Sequence, residues 1–260
     1  MPEGAFFYGY FVFCPQIFAM GPLDNLFVLD IETVSAVQGW DKMEEGWKKL
    51  WADKIGKQLP EGETPESFYP KRAAILAEFG KIICISAGYF RPKQGQNCFR
   101  VKSYAGHHEA ELLKSFLHDA GQWQAARKQA AFAGHNIKEF DIPYICRRLV
   151  INGIPIPAWL DFQAMKPWET NLVDTMQLWR FGDFKSYTSL NLLAACLGVP
   201  SPKDDMDGSK VGEVYWQHNN LARIVEYCQK DVITVAQVLL RFRNLPLLQD
   251  EEVEIVEVGQ

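Results

Sequence analysis

The sequence predicts a single α/β domain in which a mixed β-sheet is flanked by helices. The chain has 260 residues, of which 48% are hydrophobic and 23% charged, as in an ordinary soluble globular domain with a sizeable core. The short apolar run LFVLDI (26–31) ends in charge, which is typical of a buried strand, and it opens a three-strand meander. Strand-like and helix-like stretches alternate through the rest of the chain, which favours an α/β fold.

The remaining elements each have a signal of their own. KIICISAGYF (81–90) is a strong strand, and CFRVKSY (98–104) alternates like its hairpin partner. Tryptophan and aliphatic residues at helical spacing predict a helix within 39–58. The Pro- and Gly-rich stretch 59–70 then predicts a connection, and 72–79 a short helix. Further strands are predicted at 130–135 and 171–175, and further helices at 108–120, 141–151, 188–198 and 220–243.

The two ends of the chain differ in composition from the part between them. Ala5–Met20 is aromatic and apolar, but it is too short to span a membrane and lacks the basic residues of a signal peptide. We expect residues 1–20 to be an N-terminal extension, either an edge segment or an over-predicted start with Met20 as the natural initiator. The domain is expected at 21–245, followed by an acidic, loosely held tail at 246–260.

Charge and cysteine content restrict the class of protein. Lys and Arg number 27 and Asp and Glu 32, which gives a formal net charge of −5. Proteins that hold a duplex by bulk electrostatics are usually basic, so charge alone disfavours a nucleic-acid partner. The six cysteines are scattered without a C-x-x-C pair, which predicts a reduced, cytoplasmic protein without structural zinc. No segment predicts association with a membrane.

Two strand ends carry acidic residues that stand out by context. Asp30 and Glu32 are two apart at the end of the first strand, so their side chains share a face. A strand that runs into a solvated loop is the simpler interpretation of this D-x-E motif alone. Asp141 opens a helix that has Pro143 in its first turn, and there the simpler interpretation is helix capping.

A third candidate site lies on the last long helix. Tyr227 and Asp231 are four residues apart in EYCQKDVITV, so they lie on one face of the helix. Taken alone, a tyrosine beside an apolar stripe is usually a packed side chain, and an aspartate after a lysine is usually exposed.

Taken together and in this order, the motifs resemble the DEDD exonuclease superfamily in its tyrosine-bearing branch. More narrowly, the chain resembles the proofreading exonuclease domain of family-B DNA polymerases and its stand-alone bacterial relatives. The resemblance covers roughly Leu26 to Phe242 and includes FGKIICIS, GHNIKEFDIPYI and NLVDTMQLW. It implies a ribonuclease H-like fold with a sheet of five or six strands. It also implies 3′–5′ exonuclease activity on single-stranded DNA 3′ ends, while 260 residues are too few for a complete polymerase.

The resemblance also implies a role for each acidic residue. Asp30, Glu32 and Asp231 would hold a metal ion on the side of the nucleophile. Asp30 would bridge to a second ion, which Asp141 would support directly or through water, and Tyr227 would hydrogen-bond the attacking water. Converging carboxylates repel one another unless cations compensate them. Oxygen ligands together with phosphate favour two Mg²⁺ or Mn²⁺ ions.

Substrate contacts and partners are more open. By resemblance, Thr33 and Asn136 would hold the 3′-terminal nucleotide, and the ring of Phe140 is a candidate for base stacking, although core packing is the simpler role for one aromatic residue. The alternatives are a 3′–5′ exoribonuclease and a catalytically silent nucleic-acid-binding module of the same fold. A polymerase or repair protein is a candidate partner, with the tryptophans of helix 39–58 as a docking surface.

Overall fold

The computed structural model describes residues 21–93, 96–166, 169–200 and 206–256. The expected N-terminal extension, residues 1–20, therefore lies outside the described residues, as does the end of the expected tail, 257–260.

A six-stranded mixed sheet forms the centre of the described fold, in the order β5-β4-β1-β2-β3-β6. The antiparallel pairs β1/β2 and β2/β3 make the predicted meander, whereas β1/β4, β4/β5 and β3/β6 are parallel. The α/β prediction with a mixed sheet is confirmed. The strands are β1 (Leu26–Ser35), β2 (Gly80–Lys93), β3 (Gln96–Ala105), β4 (Ala131–Gly134), β5 (Leu172–Asp174) and β6 (Val253–Val256).

Helices cover both faces of this sheet. One face packs against α3 and α4, and the other packs against the long helix α8. The helices are α1 (Glu45–Ile55), α2 (Pro65–Arg72), α3 (Glu109–Ala125), α4 (Asp141–Ile151), α5 (Thr175–Arg180), α6 (Leu190–Cys196), α7 (Val211–Trp216) and α8 (Leu221–Phe242). Among the described residues, no helix is both long enough and apolar enough to cross a bilayer.

The predictions for the segment between β1 and β2 were partly wrong. A helix was expected at 72–79 and a connection at 59–70, but the helix is α2, and a 3₁₀ turn at Ala73–Ile75 follows it. The cause is a capping box, in which Thr64 and Ser67 bond each other's backbone N–H groups and Pro65 occupies the first turn. The proline therefore starts a helix here instead of marking a loop.

The docking hypothesis requires exposed tryptophans, but the tryptophans of α1 are not all exposed. Trp51 is fully buried among Tyr69, Phe68 and Phe79, and its indole N–H donates to Pro65 O at 2.8 Å. Trp47 is 46% exposed. The segment between β1 and β2 thus has a small core of its own.

The tail was expected to be loosely held, and for Val253–Val256 this is wrong. These residues form β6, which pairs in parallel with β3. Glu254 forms an ion pair with Arg91, and the side-chain amide of Gln237 bonds both backbone groups of buried Leu248. The acidic composition alone predicted a solvated end of the chain. The succession of apolar and acidic residues in Val253–Val256 instead suits a strand at the edge of a sheet.

A buried ion pair fixes the start of α3 against α4. The Arg148 guanidinium donates two hydrogen bonds to Glu109, at 2.9 and 2.5 Å, and a third to Ala77 O at 2.8 Å. Glu109 also accepts from Ile82 N at 2.7 Å, so the pair links both helices to β2. It thereby fixes the position of α4, whose first residue is a candidate site residue.

Candidate active site

β1 presents Asp30 and Glu32 to the long helix α8. Leu26 and Val28 of the same strand belong to the core under α8, whereas Phe27, Leu29 and Ile31 face α3 and α4. Side chains alternate along a strand, so the even-numbered residues Asp30 and Glu32 lie on the α8 face. Glu32 is only 7% exposed, so this is not a strand end that runs into solvent.

A β-bulge lies beside these two residues. Glu32 pairs with Cys84, but the next residue, Thr33, pairs with Ile82. The extra residue is Ile83, and both Ile83 and Cys84 pack in the core beneath α8. Bulges re-aim side chains next to many functional sites. Here the bulge lets the consecutive residues Ile83 and Cys84 pack in the same core cluster.

Asp141 reaches the same strand from α4. It is the first residue of that helix, is 3% exposed, and its Oδ1 accepts a hydrogen bond from Ile31 N at 3.2 Å. The capping interpretation does not hold, because Phe140 occupies the N-cap position and makes no side-chain cap. The bond to Ile31 brings Asp141 to the strand between Asp30 and Glu32.

α8 closes the site from the other side with Tyr227 and Asp231. The Tyr227 hydroxyl bonds Asp231, and the negative charges of Glu32 and Asp30 also act on it. Burial and these charges raise the Tyr227 pKa far above its usual value, so the phenol stays protonated throughout the neutral range. It can therefore donate a hydrogen bond but cannot serve as a base.

Cys228 is a site residue that sequence reasoning missed. Its thiol is buried and lies 3.5 Å from both Asp30 O and Asp30 Oδ2. Ligand atoms of Asp30, Glu32 and Cys228 all lie within 4.8 Å of one another, a spacing that suits a metal ion. Its place next to Tyr227 was the available signal, but a cysteine beside an apolar stripe is typical of a small core residue.

The carboxylates destabilise one another's charged forms. Burial, then the charges of Asp141, Glu32 and Asp231, raise the pKa of Asp30 well above its usual value. Burial and Asp231 do the same to the pKa of Glu32, and burial raises the pKa of Asp141 to about 7. Burial and the neighbouring acidic groups are the main causes that raise these three pKa values.

This donor set fits divalent cations. Buried carboxylates that repel one another are stabilised when hard cations bind between them. The oxygen donors suit Mg²⁺ or Mn²⁺, and the single thiol adds a softer donor that Mn²⁺ accepts more readily.

Asn136 lies in the turn between β4 and α4. Its backbone is left-handed, with φ of 65°, and its N–H donates to Asp174 Oδ1 at 3.0 Å. The side-chain Oδ1 is buried without a hydrogen-bond partner among the described residues. A buried acceptor without a partner is costly, so it is a candidate contact for a ligand.

Asp174 organises this turn from β5. Its carboxylate accepts from Asn136 N and Lys138 N, and also caps α5 through Met176 N and Gln177 N. Asp174 is therefore the N-cap of α5. The same residue fixes the loop that carries Asn136.

Thr33 and Phe140 lie at the margins of the acidic cluster. Thr33 is on the opposite face of β1 from Glu32, is 8% exposed, and its hydroxyl bonds Tyr144. Phe140 is half-buried, with its ring centroid 5.4 Å from that of Tyr144. The structure thus brings the five predicted catalytic residues together and leaves these two beside them.

Comparison with known proteins agrees with this geometry. A sequence model of one family matches residues 75–256 and is described as a predicted 3′–5′ exonuclease related to the exonuclease domain of PolB. The matched range contains Asp141, Tyr227 and Asp231, and it begins after β1, which carries Asp30 and Glu32. A search of curated proteins gave no match. Because the match spans well over half of the chain, the protein belongs to this family of predicted 3′–5′ exonucleases related to the exonuclease domain of PolB.

Proposed function

We propose that the protein removes nucleotides from the 3′ ends of single-stranded DNA by two-metal hydrolysis. One observation carries this proposal: carboxylates from three separate elements converge in a buried site, where burial and mutual repulsion raise the pKa values of Asp30, Glu32 and Asp141. Such a cluster is unfavourable for folding, so it needs a reason in function.

The acidic residues divide into two sets by position. Asp30, Glu32 and Asp231 would hold one ion on the α8 side, and Asp30 with Asp141 would hold the other on the α4 side. Two divalent ions, when bound, supply an activated water and stabilise the leaving oxygen of the phosphodiester.

The other side chains orient water and substrate. The hydroxyl of Tyr227 hydrogen-bonds the attacking water and helps aim it at the terminal phosphorus. The free Oδ1 of Asn136 accepts from a donor on the terminal nucleotide. The half-buried ring of Phe140 offers a face on which the terminal base stacks. Thr33, on the other face of β1, supports the bound single-stranded DNA.

The test uses an oligonucleotide labelled at its 5′ end, incubated with purified protein and Mg²⁺ or Mn²⁺. We expect a ladder of stepwise shorter labelled products, and none in EDTA. Asp30→Asn should abolish the ladder, while the matched control Asp24→Asn, at an exposed position, should leave it unchanged. An intact ladder from Asp30→Asn would remove Asp30 from the mechanism, and no ladder from the wild type would refute the proposed activity.

The identity of the sugar is tested with matched DNA and RNA oligonucleotides. We expect faster degradation of DNA, and the opposite ranking would make the protein an exoribonuclease on the same site, since the 2′-hydroxyl is what distinguishes the two. We also propose a polymerase or repair protein as a partner. Trp47 on α1 is an exposed aromatic residue available for such a contact.

A further inference from the structure

A polar cleft of about 770 Å³ begins directly beyond the acidic cluster. Thr33 and Ser35 of β1 form its floor, so it starts one residue after Glu32. Its walls come from two separate parts of the chain, the segment between β1 and β2 on one side and residues 208–217 on the other. Its volume is in the range of ordinary ligand sites.

Hydrogen bonds hold the two walls together at one end of the cleft. The Trp216 indole N–H donates to Ser35 Oγ at 3.2 Å, and the side-chain amide of Gln38 donates to Trp216 O, also at 3.2 Å. The cleft is therefore anchored to β1, the strand that carries Asp30 and Glu32. Whatever occupies it is positioned relative to those carboxylates.

One wall is cationic. Lys42, Lys71 and Arg72 line it, against Asp41 and Glu213 among the cleft's lining residues. Lys42 lies 3.5 Å from Asp41, with both side chains exposed, where such a pair is weak. Lys71 forms an ion pair with half-buried Glu63. Within the described part of the chain, Arg72 has no ion-pair partner.

The opposite wall is open because of two glycines. A side chain added at Gly208 or at Gly212 would meet no atom within 4 Å, so packing does not explain either glycine. Both residues line the cleft. The absence of side chains leaves backbone exposed, as at sites where another backbone approaches closely.

We propose that this cleft binds the sugar–phosphate backbone of the single strand behind its 3′-terminal nucleotide. The inference rests on the proposed exonuclease function and adds a binding site to it. A chain of phosphates fits a narrow cleft that has cations on one side and exposed backbone on the other. The protein as a whole is acidic, so a local excess of cations next to the acidic cluster is the place where a phosphate backbone would be attracted.

Two variants test the cleft by independent means. Lys71→Gln/Arg72→Gln removes two cations, and Gly212→Leu fills the open wall within helix α7, where leucine favours the helix more than glycine does. The matched control, Lys114→Gln/Lys128→Gln, removes the same charge at exposed residues outside the cleft. Each variant is assayed on a dinucleotide, which fills only the catalytic site, and on a hexanucleotide, which extends beyond it.

We expect both cleft variants to raise KM for the hexanucleotide about tenfold while leaving the dinucleotide unaffected. Anisotropy of a labelled oligonucleotide, measured with Ca²⁺ in place of the catalytic ion and with the probe shown to stay intact, gives the salt dependence of binding. For Lys71→Gln/Arg72→Gln, the slope of log K against log salt should fall by about 1.4, which corresponds to two lost phosphate contacts.

The outcomes separate this inference from the proposed function. A wild-type protein that degrades neither oligonucleotide refutes the proposed function itself. If the wild type is active and the cleft variants keep its KM for the hexanucleotide and its salt slope, the cleft does not bind the strand. An equal loss on the dinucleotide also overturns the inference, because the effect then acts through the catalytic site.

Discussion

The pKa of Asp141 makes the stability of the metal-free protein depend on pH. Burial raises this pKa from 3.8 to about 7, so the folded protein keeps a proton that the unfolded chain releases. As pH rises from 3.8 to 7, the unfolded state is favoured progressively, and the full penalty is reached above pH 7. The shift of about three pKa units corresponds to about 4 kcal/mol of lost stability, and Asp30 and Glu32 shift in the same direction.

Urea unfolding in EDTA, at about pH 4 and about pH 8, measures this effect in the wild type and in Asp141→Asn. The asparagine carries no charge, and its Oδ1 can still accept the hydrogen bond from Ile31 N. We expect Asp141→Asn to lose about 4 kcal/mol less than the wild type between the two pH values, and to be the more stable protein at pH 8. Asp24→Asn, at an exposed position, reports the background change.

Adding Mn²⁺ should remove most of the difference. A cation bound among the carboxylates favours their charged forms, so Mn²⁺ should stabilise the wild type more at pH 8 than at pH 4. Asp141→Asn should gain less. If the two proteins show the same pH dependence in EDTA, Asp141 does not carry a raised pKa. Equal stabilisation of both by Mn²⁺ would show that Asp141 is not a ligand.

Three further predictions follow from contacts around the site. Tyr227→Phe should lower kcat about 10²-fold with little change in KM, because it removes the hydroxyl that orients the attacking water, and an unchanged kcat would exclude that role. Cys228→Ala should weaken Mn²⁺ binding about tenfold in an EPR titration, with Cys228→Ser restoring much of it, whereas Cys98→Ala, a buried control outside the site, should not change the affinity. Arg148→Met should cost about 3–5 kcal/mol in urea unfolding because it leaves Glu109 buried without its partner, and a cost below about 1 kcal/mol would contradict this.

The sequence carries most of the fold because its periodic signals are long. Helix α4 was predicted with its observed bounds, 141–151, and α8 within one residue at each end. The apolar stripe of α8 and the alternating meander leave few ways to bury both faces of the sheet. The order of the acidic motifs along β1, α4 and α8 then places them at one site, since each motif lies at the end or on the inner face of an element.

What the sequence could not provide depends on contacts between distant residues. The bulge at Ile83 appears only when the register of β1 against β2 is known, and Cys228 gains its meaning from the carboxylate it contacts. The start of α2 was hidden because proline has opposite meanings at the first turn of a helix and in a loop. β6 was hidden because four residues are too few for a periodic signal, and only its parallel pairing with β3 identifies it.

The net charge of −5 gave the wrong indication about partners because it treats every charge as exposed. Four of the 32 acidic residues lie together in the site, and without them the chain is close to neutral. Those four repel phosphate only while no cation is bound. It follows that affinity for a single strand should depend on the metal far more than bulk charge suggests, with weak binding in EDTA and strong binding when divalent ions are present. The cations of the cleft then act on a strand whose 3′ end is no longer repelled.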